Sequence, residues 1–447
     1  MKSEIYTFSY PNGERQRVQL VHLEDWSRLN FLPVSPSEDA LDRFARIYEK
    51  YLVPACPWLF GHMVMFRLPE DMEVPFSFSS AKYGQLSHPL TSAAAALEQG
   101  IRFQFGEPTF RDAQTERFFH ALQSRDCIRL VHGKLPITTV IPVGNLAGYL
   151  TQTAPEAAMK VNSSFFIMDR FDCATVYDHL GIHLGLCVKN GVVENPPLFR
   201  REALLVKPDG TVTVTQPDLQ DLVIEISGQH FYPGKNARVY SRPEHLYTPP
   251  SQGTKLVITG CQVAAVHTGT SVPIPASGFV LCPVEDCSVQ PGDRVVYHGM
   301  EDVVFGIQVG NSILRDGVKT DTFRSRFYNI RHLEPIPFPP SLYPMNFRKD
   351  RAARIALGAD RNGKPMLLWA EGAPKIGYIP GKDSCGASLS EMAMICSRVG
   401  MHNAVNLDGG GSAQILLKNR RSLLISDRTP ESQTENERPI PIALTIP

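Results

Sequence analysis

From about residue 126 onward, short runs rich in apolar and β-branched residues alternate with Gly, Pro, Asn and Asp, and this alternation constrains the fold more than any other feature. "CIRLVHG", "HLGLCVKNGVV", "EALLVKPDGTVTV", "KLVITGCQVAAVHTG" and "DRVVYHG" follow one another along the chain. Runs of this length between turn-forming residues fold as strands. The "KNG" and "PDG" triplets have hairpin-turn chemistry, as does "DRNG" between the two apolar halves of "AARIALGADRNGKPMLLWAEG" (352–372). Two stretches have helical spacing instead, roughly "NLAGYLTQTAPEAA" (145–158) and "SLSEMAMICSRVG" (388–400). The expected class is α+β, a mainly β-sheet domain with a few helices over residues 126–447.

Residues 1–125 have a different character. Ser37 is placed to cap a helix carrying Leu41, Phe44, Ala45, Tyr48 and Leu52 on one face. "TSAAAALEQG" reads as a short helix stopped by Gly100, and "RDAQTERFFHALQ" as a third. These signals describe a separate mixed α/β N-terminal domain without a chemical motif. A polar, turn-prone segment at 428–439 is expected to be a loop before the last strand.

At 447 residues the chain exceeds what one hydrophobic core usually serves. Lys plus Arg equals Asp plus Glu at 45 each, and no basic block stands out, so nothing points to nucleic acid or an anionic membrane. No run is long enough to span a bilayer, and the first residues lack an apolar leader. Nine scattered cysteines with no CxxC spacing read as reduced thiols in a cytoplasmic protein.

Chemistry concentrates in "NAVNLDGGGSAQILL" (403–417). In a strand, Val405 and Leu407 would face a core, while Asn406 and Asp408 would face the other way together. Gly409, Gly410 and Gly411 let a ligand approach the backbone, and successive N–H groups there can form an anion-binding nest, with Ser412 beside it. A glycine-rich turn with Asp408 as its Asx residue explains the same spacing. Upstream, Ser388 and Glu391 fit an S-x-x-E capping box ahead of a stripe formed by Leu389, Met392, Ala393, Cys396 and Val399. Capping alone accounts for Glu391, although the start of this helix would also favour a phosphate. "KVNSSFF" (160–166) offers Asn162 and two aromatics, which core packing and a turn cap explain equally well. Arg354 lies among apolar residues, where a charge requires a partner, either a phosphate or a structural carboxylate.

Taken in order, these elements resemble the phosphodiester glycosidase family. Its pattern runs Asn-Gly-Gly-Phe-Phe, Arg-Thr-Ala-x-Gly, Gly-x-Thr-x-x-Glu-Leu-Ala, Asn-Leu-Asp-Gly-Gly-Gly-Ser and a late Arg-Pro. The corresponding stretches here are "NSSFF" (162–166), "RIALG" (354–358), "GASLSEMA" (386–393), "NLDGGGS" (406–412) and "RPIPIAL" (438–444). The likeness covers about 126–447. It implies hydrolysis of the bond between a sugar's anomeric carbon and a phosphodiester, as in N-acetylglucosamine-1-phosphodiesters. By the resemblance, Asp408 and Glu391 are the catalytic carboxylates. Asn162, Arg354, Ser388, Asn406, Gly409, Gly410, Gly411, Ser412 and Arg438 line the substrate site. Ser163 and Ser164 replace Gly-Gly, which strains the backbone if those positions need positive φ, and Ile355 replaces Thr.

The expected substrate is a small glycosyl phosphodiester or a nucleotide-sugar-like molecule. No cofactor is required, and a divalent cation near Asp408 is compatible with the residues. Two other functions fit the same constellation. One is a non-catalytic module that binds a glycosyl phosphate, favoured by the serine pair. The other is a metal-dependent phosphodiesterase that cuts P–O rather than C–O. Residues 1–125 would select the aglycone, recruit a protein partner or mediate oligomerisation.

Overall fold

The structure is a computed structural model. It describes residues 1–34, 148–167, 184–199, 201–242, 247–269, 271–308, 312–320, 350–374, 377–426 and 437–447, a few single residues between these segments, and the backbones of the strands at 62–66, 101–104, 107–110, 128–131 and 138–142. The helices expected near 37–52, 91–100 and 111–123 fall almost wholly outside the described residues, as does most of the 428–439 loop.

Two antiparallel sheets frame the C-terminal part. The larger has seven strands in the order Lys2–Ser9, Arg15–His22, Pro365–Ala370, Arg354–Ala359, Asn403–Asn406, Ser312–Arg315 and Val318–Lys319. The second has five, in the order Arg420–Arg421, Ile415–Leu417, Met159–Asn162, Ile442–Ile446 and Asn30–Pro33. Every pairing in both is antiparallel. A core of Val21, Ile355, Leu357, Leu367, Trp369, Val405 and Leu407 from the first sheet meets Val161, Ile415, Leu444 and Ile446 from the second.

The opposite face of the seven-stranded sheet is also covered. Ala356, Leu368, Ala370 and Ala404 pack there with Met392, Ala393, Ile395 and Cys396 of the Leu389–Arg398 helix. Burial on both faces explains why "RIALGA" and "PMLLWA" read as continuous apolar runs rather than alternating ones. The residues between about 186 and 303 form further antiparallel sheets around a core of their own, which includes Leu186, Ile224, Leu256, Phe279 and Tyr297.

The hairpins anticipated from turn chemistry are present. Asn190 and Gly191 turn between Cys187–Lys189 and Val192–Asn195 with φ of 48° and 78°. Gly210 and Gly363 turn the next two with φ of 83° and 78°. The capped helix over 389–398 is the one α-helix among the described elements. It is too short to cross a membrane, as is every described helix.

Two expectations change. The helix over 145–158 is not formed, because the described residues 148–158 are turns and an isolated bridge from Gly148 to Ile440. Pro155 and Gly148 disfavour a helix at these positions. Second, residues 2–33 do not stand apart as the start of a mixed N-terminal domain. They contribute two strands to the seven-stranded sheet and one to the five-stranded sheet.

Candidate functional site

The site forms where the chain leaves one sheet for the other. Asn403–Asn406 ends in the seven-stranded sheet, and Ile415–Leu417 begins in the five-stranded one. The residues between them turn a corner against the end of Met159–Asn162. Val405 and Leu407 point into the intersheet core, so Asn406 and Asp408 face away from it.

Hydrogen bonds lock this corner. Asn162 Nδ2 donates to the Asp408 carbonyl at 2.6 Å, and the Gln414 amide donates to Asn162 Oδ1 at 3.0 Å. The Asp408 amide donates to the Ser163 carbonyl at 3.0 Å. Asn162 therefore serves as a brace with both ends of its side-chain amide bonded to backbone. A turn-type role for Asn162 was legible in the sequence, but the partner 246 residues away was not.

The glycine run has local causes. A Cβ on Gly409 would lie 2.8 Å from the Ala353 carbonyl oxygen, and Gly410 has a φ of 59°. The Gly410 amide donates to that same carbonyl at 2.8 Å, and the Gly409 amide donates to Asp408 Oδ1 at 2.9 Å. These two amides are thus engaged within the protein and do not form the expected anion nest.

Asp408 is buried, at 7% exposure. Burial raises its pKa from an ordinary 3.8 to about 6, against the opposing effects of Arg438, the Ser412 hydroxyl, the Gly409 amide and Arg354. The Ser412 hydroxyl favours the charged carboxylate from nearby without an aligned hydrogen bond. Ala356 pairs with Asn406, and the register continued two residues further sets Arg354 opposite Asp408. Arg354 is 1% exposed, with Nε donating to the Ala387 carbonyl at 3.2 Å and Nη2 to the Asp350 carbonyl at 3.3 Å. Arg438, 3% exposed, contributes the other positive charge.

Among the described residues, six buried side-chain atoms at this corner have no aligned hydrogen-bond partner: Ser163 Oγ, Ser164 Oγ (which has only the Cys187 thiol nearby), Asn406 Oδ1, Asp408 Oδ2, Ser412 Oγ and Gln414 Nε2. Buried polar atoms are normally satisfied, so this concentration of donors and acceptors identifies a place for a polar ligand. Gln414 was missed in the sequence. Its signal is the alternation in "SAQI", where Ala413 and Ile415 enter the core and Ser412 and Gln414 turn the other way. Ser163 and Ser164 are both buried, and neither has positive φ, so replacing Gly-Gly does not strain the chain. Phe165 and Phe166 are buried as well, and Phe166 packs with Leu150, Leu416 and Ile440.

Ser388 and Glu391 stand slightly apart, at the start of the helix. Ser388 Oγ accepts from the Glu391 amide, while Glu391 Oε2 accepts from the Ser388 amide at 2.8 Å and from its hydroxyl at 2.9 Å. Arg351, absent from the sequence expectations, donates to both Glu391 oxygens at 2.6–3.1 Å. Burial works to raise the Glu391 pKa, but Arg351 and Ser388 outweigh it and hold the carboxyl below its ordinary value. Through Arg351, Glu391 also connects to Glu14 and to the Tyr10 ring, both in the turn between the first two strands of the chain.

The sequence profile of the phosphodiester glycosidase family matches residues 285–446. No curated protein matches the chain. Among solved structures, a hypothetical protein from Synechocystis is 21% identical, with a TM-score of 0.39, over 68% of this chain. This chain covers 54% of that one, or about half its length. The catalytic domain of zebrafish N-acetylglucosamine-1-phosphodiester alpha-N-acetylglucosaminidase is 16% identical, with a TM-score of 0.33, over 68% of this chain and 67% of that chain. The stretch that holds Arg354, Glu391, Asp408 and Arg438 is thus the part of the chain that matches the phosphodiester glycosidases.

Proposed function

We propose that this chain hydrolyses the bond between a sugar's anomeric carbon and a phosphodiester, releasing free sugar and a phosphate monoester. The observation that carries this reading is Asp408, a buried carboxylate with two buried arginines acting on it and unsatisfied polar side chains around it. The match to the phosphodiester glycosidases at residues 285–446 supports it.

The division of labour follows from the chemistry. The anomeric C–O bond breaks, and its electron pair stays on the phosphate oxygen. A phosphate monoester is a weak base and needs little protonation to leave. Arg354 and Arg438 stabilise that departing charge. Asp408, ionised above a pH of about 6, faces the positive charge that develops at the anomeric carbon. Water then adds to that carbon, and its proton passes to Asp408 or to solvent. Ser163, Ser164, Asn406 and Gln414 bind sugar hydroxyls with their unsatisfied atoms. The substrate class is a glycosyl phosphodiester or a nucleotide-sugar-like molecule. The six described cysteines are thiols rather than disulfides, which supports work in a reducing compartment, the cytoplasm.

Glu391 acts in this scheme as a positioning residue. Its oxygens are engaged by Arg351 and Ser388, and it stays ionised. It anchors the helix start, whose preceding carbonyl on Ala387 holds Arg354 Nε. Glu391→Gln is expected to cost about 1–2 kcal/mol of stability by weakening the bond to Arg351. Activity per folded molecule should fall less than about tenfold, with the acidic limb of kcat/KM unmoved. A loss as deep as that of Asp408→Asn, or a displaced limb, would make Glu391 a proton carrier instead.

The proposal is tested by incubating the protein with an aryl phosphodiester of alpha-N-acetylglucosamine-1-phosphate and quantifying products by mass. Free sugar with aryl phosphate is expected, with kcat/KM falling below a pH of about 6. Binding without turnover, over a panel of other sugars as well, would make the site a non-catalytic receptor.

A further inference from the structure

We propose that Glu225, His230 and His298 form a binding site for a divalent transition-metal ion of the zinc class. The three come from neighbouring strands of one antiparallel sheet, Val223–Ile226, Gln229–Phe231 and Val295–His298. Glu225 pairs with His230, and Val223 pairs with His298. Residues two apart in a strand share a face. The register therefore puts all three side chains on one face, while Ile224, Ile226, Phe231 and Tyr297 fill the core on the other.

The donor atoms converge. His298 Nε2 is 2.8 Å from Glu225 Oε2, His230 Nε2 is 3.6 Å from the same oxygen, and ligand atoms of the three residues all lie within 4.8 Å of one another. A tetrahedral zinc ion with bonds of about 2.0–2.2 Å holds its ligands about 3.4 Å apart, so small side-chain rotations suffice. The two imidazole rings are stacked, with centroids 6.0 Å apart, and both present Nε2 to the carboxylate.

A separate observation supports a ligand role for His298. Its other ring nitrogen, Nδ1, lies 3.6 Å from Glu301 Oε1. The Gly299 amide donates to both Glu301 oxygens at 2.9 Å and holds that carboxylate in place. A carboxylate so placed can take up the Nδ1 proton as a hydrogen bond once Nε2 gives up its own proton, now shared with Glu225 at 2.8 Å, and turns its lone pair to a metal. Two imidazoles and one carboxylate suit zinc and its neighbours, whereas calcium and magnesium favour all-oxygen sets. All three side chains are partly exposed, so water completes the coordination. The ion would tie three strands together at the surface.

Titration of the reduced full-length chain with zinc tests this. Nine cysteines add background uptake, so the readout is the difference between the wild type and the His230→Ala/His298→Ala double variant. The wild type should bind one equivalent more than the double variant, and zinc should raise its thermal midpoint further. Glu301→Gln should weaken that step about tenfold. Glu225→Gln, which keeps the shape of the side chain, should also lose the step and serves if the double variant misfolds. Equal uptake by wild type and these variants, or no uptake by the wild type, overturns the site.

Discussion

Asp408→Asn is expected to lower turnover by about 10²–10⁴-fold while making the folded protein more stable at neutral pH. The second effect separates a functional carboxylate from a structural one. Asp408 titrates near 6 in the fold against an ordinary 3.8. Between those values the folded protein binds a proton that the unfolded chain has released. Stability contributed by this group is therefore lost as pH rises from 3.8 to about 6. At about 1.36 kcal/mol per pKa unit, the loss reaches about 3 kcal/mol above pH 6. Asparagine has nearly the same shape, still accepts from the Gly409 amide and carries no charge to bury. The variant's advantage should be small below pH 3.8 and approach that value at neutral pH. Urea denaturation at several pH values, alongside the assay, checks both halves. A variant that is less stable at neutral pH and keeps its activity per folded molecule would make Asp408 a scaffold residue.

Asn162→Ala should have the second largest effect, on stability first. It removes the donor to the Asp408 carbonyl and the acceptor of the Gln414 amide. Asn162 is 1% exposed, so water does not replace either partner without opening the corner. Two buried backbone groups left unsatisfied cost about 1–3 kcal/mol each, or about 2–6 kcal/mol together. Activity should fall too, because the same bonds fix the backbone that aims Asp408. Asn162→Asp keeps the acceptor but loses the donor and sets a carboxylate oxygen against a carbonyl, so it should be no better than alanine. Denaturation midpoints with kcat on the folded fraction measure both effects. A cost below about 1 kcal/mol would show that the corner holds without the brace.

The parts of the fold that sequence revealed are those governed by local rules. The turns at Asn190–Gly191, Pro208–Gly210 and Asp360–Gly363 follow from short-range turn chemistry and need no knowledge of the partner sheet. The Ser388–Glu391 capping box is equally local. Val405 and Leu407 separate from Asn406 and Asp408 by the two-residue strand period alone. What was missed is non-local. Residues 2–22 join the sheet beside Pro365–Ala370, and nothing within 1–125 reveals a partner more than 340 residues away. The clamp of Arg351 on Glu391, the brace of Asn162 on Asp408 and the convergence of Glu225 with His298 are set by strand order. The glycine run shows the intermediate case. Its need for small residues was legible, but its cause, the Ala353 carbonyl crowding Gly409, belongs to the fold.

The central claim is that the protein breaks the sugar's C–O bond rather than the P–O bond. Turnover of a glycosyl phosphodiester in water enriched in heavy oxygen, with both products analysed by mass, tests it most directly. Heavy oxygen on the anomeric carbon of the free sugar, with unlabelled phosphate monoester, is the predicted result. Label in the phosphate, with sugar-1-phosphate as the other product, would contradict the account and make the protein a phosphodiesterase.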